Sequence, residues 1–96
     1  MKKQQALDIL AQNKALLQEK YGVTKIALFG STARDTATQT SDIDILISFD
    51  EKANSKKYFG VLFYLEDIFK CPIDLITENA LRPELQPYVD LEKIYV

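Results

Sequence analysis

Two aspartates separated by one residue, Asp42 and Asp44, follow shortly after a Gly30-Ser31 turn, and those residue types in that order can hold a phosphate beside a divalent cation. Gly30 ends the apolar run Lys25-Ile26-Ala27-Leu28-Phe29, and Ser31-Thr32-Ala33-Arg34 can begin a short helix whose free N–H groups and positive dipole end attract phosphate. Glycine lets the backbone approach such a ligand closely. Asp42-Ile43-Asp44-Ile45-Leu46-Ile47 reads as a buried strand. Side chains alternate across a strand, so Asp42 and Asp44 share a face and can hold a hard cation between them. The chain has no histidine and one cysteine, Cys71, which excludes an internal disulfide and leaves a zinc site without its usual ligands. Oxygen ligands remain, and they suit magnesium or manganese.

The elements that must position these groups can be read along the chain. Leu7, Leu10, Ala11, Leu17 and Tyr21 recur at helical spacing from Lys3 to about Lys20, and Gly22 stands where that helix should stop. A first strand runs from Lys25 to Phe29. Thr36 to Ser41 is a polar linker and Asp50 to Ser55 a polar loop, and the threonines Thr36, Thr38 and Thr40 carry no catalytic role. Tyr58, Val61, Leu62, Leu65, Ile68 and Phe69 trace the apolar face of a second long helix, whose further aromatics Phe59, Phe63 and Tyr64 exceed what one buried stripe needs. Some of them should face outward, where aromatic side chains anchor partner surfaces. After Pro72, Ile73-Asp74-Leu75-Ile76-Thr77 reads as a third strand in which Asp74 is the single charge and needs a partner. Asn79 to Val89, interrupted by Pro83 and Pro87, should form one or two short helical turns before an edge strand at Lys93 to Val96. Helix, strand, turn, strand, helix, strand predicts an α/β fold with helices flanking a small mixed sheet.

Size and charge bound the function. Ninety-six residues make one domain, 1–96, with no room for a separate substrate-gripping domain, so an acceptor must largely present itself. A hydrophobic content of 47% with 27% charged residues fits a globular chain, and no run approaches the roughly 18 apolar residues that cross a membrane. The polar start Met1-Lys2-Lys3-Gln4-Gln5 argues against a secretory signal and for a cytoplasmic location. A net charge of −2 provides no basic stripe for an extended nucleic acid.

The order Gly30-Ser31, Ala33-Arg34, polar linker, Ser41-Asp42, Asp44, helix and Asp74 resembles the DNA polymerase beta-like nucleotidyltransferases, and within them the minimal nucleotidyltransferases of bacteria and archaea. The similarity covers nearly the whole chain. It implies a polymerase beta palm-like fold in which Asp42, Asp44 and Asp74 form the catalytic centre and hold two magnesium ions, with manganese as a substitute, around ATP or another nucleoside triphosphate. Asp74 would also assist as base. By the same resemblance Gly30 and Ser31 contact the triphosphate. Arg34 either reaches a phosphate or pairs with Asp35 or Asp42, and Ser41 either orients Asp42 or closes the loop. The implied activity is transfer of AMP to a protein hydroxyl, as the antitoxin of a HEPN-type ribonuclease toxin encoded nearby. The alternatives are neutralisation of that toxin by binding alone and, further off, modification of an aminoglycoside-type small molecule. At one position the chain departs from the family: the residue after the arginine is often glycine, whereas Asp35 would bring a carboxylate close to the phosphates and so favours the binding-only alternative.

Overall fold

The computed structural model describes residues 1–38, 41–50 and 54–96. Parts of the two expected polar segments, Gln39, Thr40 and Glu51 to Ala53, lie outside the described residues. The order is α1 (Lys3–Tyr21), β1 (Val23–Phe29), α2 (Gly30–Ala33), β2 (Ile43–Phe49), α3 (Ser55–Phe69), β3 (Ile73–Thr77), two 3-10 turns at Glu78–Ala80 and Pro83–Leu85, α4 (Gln86–Glu92) and β4 (Ile94–Tyr95).

Local chemistry sets the ends of the long helices. α1 stops at Gly22, which takes the left-handed conformation (φ 73°) and returns its N–H to the Gln18 carbonyl at 3.0 Å. α3 begins on Asn54, whose side-chain oxygen accepts the Lys57 N–H at 2.8 Å, and ends at Lys70 in the left-handed region. The buried stripe of α1 is Ala6, Leu10 and Leu17; Leu10 and Leu17 are as expected, Leu7 and Tyr21 are half-buried against the core, and Ala11 faces solvent. Tyr64 ties the two helices together by donating its hydroxyl to Asn13 Oδ1.

The sheet order is β3-β2-β1-β4, with β1 antiparallel to both β2 and β4 and β2 parallel to β3. The tail closes one edge, as Val96 N–H donates to the Ile26 carbonyl at 3.0 Å. Alternation along β2 divides the molecule. Ile43, Ile45 and Ile47 enter a core with Leu10, Leu17, Val61, Leu65 and Phe69 from the two long helices. The opposite face has only a small cluster of Ala27, Phe29, Leu46 and Val89, covered by α4 and the turns before it. A sheet thickly covered on one side and thinly on the other leaves room for polar side chains on the thin side. Asp44, register partner of Phe29, projects there.

Candidate active site

The parallel pairing of β2 with β3 sets Asp44 opposite Asp74. Both carboxylates therefore stand on the thinly covered face, in neighbouring strands, where side chains directly opposite each other are in reach. Their proximity is visible electrostatically. Burial pushes the Asp44 carboxyl from 3.8 up to about 6, and the charge of Asp74, a hydrogen bond between the two carboxyls and the charge of Asp42 push the same way, opposed by Arg34. Without a cation the Asp44 carboxyl therefore holds its proton to a higher pH than an ordinary aspartate. The folded chain thus keeps a proton that the unfolded chain releases near pH 4. Metal-free stability should be greatest below that pH, fall as the pH rises through about 6, and level off above it. Thermal melts in a chelator across pH 4 to 8 would show this decline, and the same series on Asp44→Asn should lack it; parallel curves for the two chains would refute the assignment.

Asp42 lies just outside the strand. The ladder starts at Ile43, whose N–H donates to the Pro72 carbonyl at 3.2 Å, and Asp42 is exposed beside it, where its charge still acts on Asp44. Among the described residues no three acidic, cysteine or histidine side chains are gathered tightly enough to enclose an ion as they stand. The donor chemistry nevertheless fits one. Asp44 and Asp74 are register partners, Asp42 is the next carboxylate, all present hard oxygen donors, and a cation would displace the Asp44 proton and offset the repulsion among their charges.

Gly30 sits against this pair. It is left-handed (φ 72°), and a Cβ built on it would overlap the Asp44 carboxylate, with Cγ only 2.8 Å away. The turn that follows is a single helical turn, Gly30–Ala33, closed by Arg34 N–H on the Gly30 carbonyl and Thr36 N–H on the Ser31 carbonyl. Ser31 is half-buried in it.

Arg34 takes neither of the side-chain partners expected for it. Its Nη1 contacts Glu92 Oε1 at 2.6 Å, tying the turn to the end of α4, and both groups are partly exposed. Glu92 carries no local sequence signal, standing 58 residues away. Ser41 closes the loop: its N–H donates to the Thr38 carbonyl and its hydroxyl accepts the Thr38 N–H at 3.0 Å.

Asp35 does not face the site in the way its sequence position suggested. It adopts the left-handed region (φ 60°) and its Oδ1 accepts the Lys3 N–H at 3.0 Å, so it caps the first turn of α1, whose preceding residue, Lys2, provides no side-chain cap. The positive φ also explains why glycine suits this position. Replacing Asp35 by alanine removes the cap while keeping a β-carbon in the same left-handed turn, which should cost about 1 kcal/mol. Catalytic turnover should stay within about threefold of the parent, less than 1 kcal/mol on the barrier. A melting curve and a transfer assay on the same preparation test this; a large change in turnover with unchanged melting would place the carboxylate back at the phosphates.

The nucleotidyltransferase-domain family model matches residues 10–96. Protein adenylyltransferase MntA of Thermococcus cleftensis is 35% identical over 88 residues, 92% of this chain and 89% of that protein. A solved minimal nucleotidyltransferase is 28% identical, with a TM-score of 0.79 over 98% of this chain and 95% of that one. A complex of a tri-AMPylated Shewanella oneidensis HEPN toxin with its MNT antitoxin shares the fold at 17% identity, with a TM-score of 0.61 over 97% of this chain and 66% of that chain. With a sheet of this topology and a Gly-Ser turn resting on the strand aspartates, the chain belongs to the nucleotidyltransferase-domain family and is an enzyme of the minimal nucleotidyltransferase type.

Proposed function

We propose that the chain moves AMP from ATP to a hydroxyl of a partner protein, releasing pyrophosphate, and that the partner is a HEPN-type toxin which it serves as antitoxin in the cytoplasm. The observation that carries the reading is the in-register Asp44–Asp74 pair with Gly30 packed on Asp44. Asp42, Asp44 and Asp74 would hold two magnesium ions, which when bound supply charge stabilisation for the attacking and leaving oxygens. Gly30 and Ser31 lie beside Asp44 on the β1 side, where they would receive the triphosphate. Asp74, exposed on the edge strand, would accept the proton of the incoming hydroxyl. Arg34 would add positive charge once it exchanges Glu92 for a phosphate. Relatives named for protein adenylyl transfer and the MNT–HEPN complex of the same fold support the choice of a protein acceptor and of that partner.

The surface of α3 fits a protein partner. Phe59 and Phe63 are 47% and 61% exposed and stack with ring centroids 5.9 Å apart, an apolar patch on the helical layer. Truncating both to alanine should weaken the complex by roughly 10- to 100-fold, as expected for two aromatic anchors, while the melting temperature changes little. The test of the whole reading is to incubate the purified chain with ATP, magnesium and the HEPN-type protein encoded beside it, then to measure the mass of that protein and its co-elution. Added AMP supports the reading. Co-elution without added mass would favour neutralisation by binding alone. An unmodified protein that fails to associate would overturn the antitoxin role.

A further inference from the structure

At the outer edge of the sheet the structure has a pocket of about 460 Å³, lined chiefly by Leu75, Ile76, Leu81 and Leu85 together with Tyr58 and Arg82. Its place follows from the strand order. Gly30 follows β1, Asp44 lies on β2 and Asp74 on β3, whose Leu75, Ile76 and Thr77 line the pocket, so it adjoins the strand of the pair that is farther from the Gly-Ser turn and has no further neighbour. Along β3 its lining starts at Leu75. Tyr58 donates its hydroxyl to the carbonyl of Leu75, the residue after Asp74, at 2.5 Å, and the Asp74 charge is felt at that phenol.

Phosphoryl transfer brings the attacking and leaving oxygens roughly into line on opposite sides of phosphorus. With the triphosphate on Gly30 and Ser31, pyrophosphate departs toward β1, and the nucleophile must come from β3. The acceptor oxygen bonds to the α-phosphorus as the bond from that phosphorus to its bridging oxygen breaks. Pyrophosphate leaves with the electron pair, and the hydroxyl proton passes to the Asp74 carboxylate. The pocket therefore opens on the acceptor's side of the reaction. Its walls are largely aliphatic, which disfavours a phosphate or a bare sugar, and its volume falls in the range that encloses a ring.

We propose that this pocket is the acceptor subsite, holding an apolar, ring-sized side chain of the partner segment that carries the modified hydroxyl, and so setting which residue of the partner is modified. The inference rests on the reading of the chain as a protein adenylyltransferase. Leu81→Gln and Leu85→Gln keep the side-chain size but make the wall polar, and Leu85 is already 47% exposed, so the fold tolerates the change. With the HEPN-type protein as acceptor, each variant should lose about tenfold or more in kcat/KM for that protein, the penalty for losing one buried leucine. The KM for ATP should remain within twofold, and melting of Leu85→Gln should match the parent, whereas Leu81→Gln should lower it somewhat because Leu81 also packs on the small cluster of the thin face. A rise in the KM for ATP instead would identify the pocket as a nucleobase site, and unchanged constants for both substrates would show that it is not used; either overturns the proposal. A methyl NMR titration of the unmodified chain adds a readout independent of turnover. Leu81 and Leu85 signals should move on adding the HEPN-type protein and not on adding ATP with magnesium, and the reverse would refute the assignment. If the parent chain binds that protein through these leucines yet transfers nothing, the enzymatic reading alone fails; if it transfers AMP while the leucines are silent, the subsite alone fails.

Discussion

Asp44→Asn should reduce nucleotide transfer at least about a thousandfold and, in a chelator near neutral pH, raise the melting temperature. The first effect follows from position: Asp44 is the middle carboxylate, flanked by Asp74 across the ladder and by Asp42 two residues before it. In the proposed ligand role, losing its charge would weaken cation binding and the charge stabilisation that goes with it, worth roughly 4 kcal/mol of barrier and hence the thousandfold. The second effect follows from the carboxyl's elevated pKa of about 6, since above that pH the parent must carry a partly buried anion beside two others. Asparagine keeps the shape and removes the charge. With the screening of a half-exposed group allowed for, the gain is on the order of 1 kcal/mol, or about 4–8 °C in a domain of this length. The two signs together are diagnostic. A residue that merely supports the fold would lose stability and activity in step, so a melting point well below the parent's would count against a ligand role, and parental turnover with magnesium would move the site elsewhere.

Gly30→Ala should damage both stability and catalysis. The left-handed backbone at Gly30 costs a residue with a β-carbon about 1–2 kcal/mol, a melting drop of roughly 5–15 °C. The new methyl would also occupy space now filled by the Asp44 carboxylate. Either the turn or Asp44 must move, and a displacement on the order of 1 Å at a catalytic group lowers turnover about a hundredfold. Differential scanning calorimetry and initial rates at saturating ATP would measure the two effects. If the variant melts and turns over like the parent, the packing of the turn on Asp44 is not what holds the site together.

Much of this arrangement is legible in the sequence because its signals are local. Ile73–Thr77 stands as a strand since an apolar run follows a proline, and α1 ends at Gly22 because only glycine readily adopts the required turn. The Gly-Ser turn and the two aspartates after it are close in sequence, and the α/β fold with a mixed sheet follows from the order of elements. What could not be read depends on contacts between distant residues. Asp74 joins the aspartate pair in the sequence only by family resemblance, because the parallel register that sets it opposite Asp44 follows a whole crossover helix. Arg34 pairs with Glu92 because α4 folds back over the thin face, which no pattern near either residue announces. Asp35 shows what charge alone leaves out: its backbone conformation turns the carboxylate toward the start of α1.

The division of the sheet into a thick and a thin side has a mechanical consequence. Phe59 and Phe63 lie in the helical layer, whereas Asp44 and Asp74 open on the opposite face. A partner gripped by that phenylalanine pair would be leashed behind the catalytic face, and its modifiable segment would have to swing round the β3 edge, past Tyr58. Encounter then becomes an intramolecular search, in which the length and stiffness of that segment set the local concentration of hydroxyl at Asp74. Shortening the segment below the span would abolish modification without loosening the grip. Lengthening it would slow modification only gradually, so grip and modification rate are two separately adjustable properties of the same small fold.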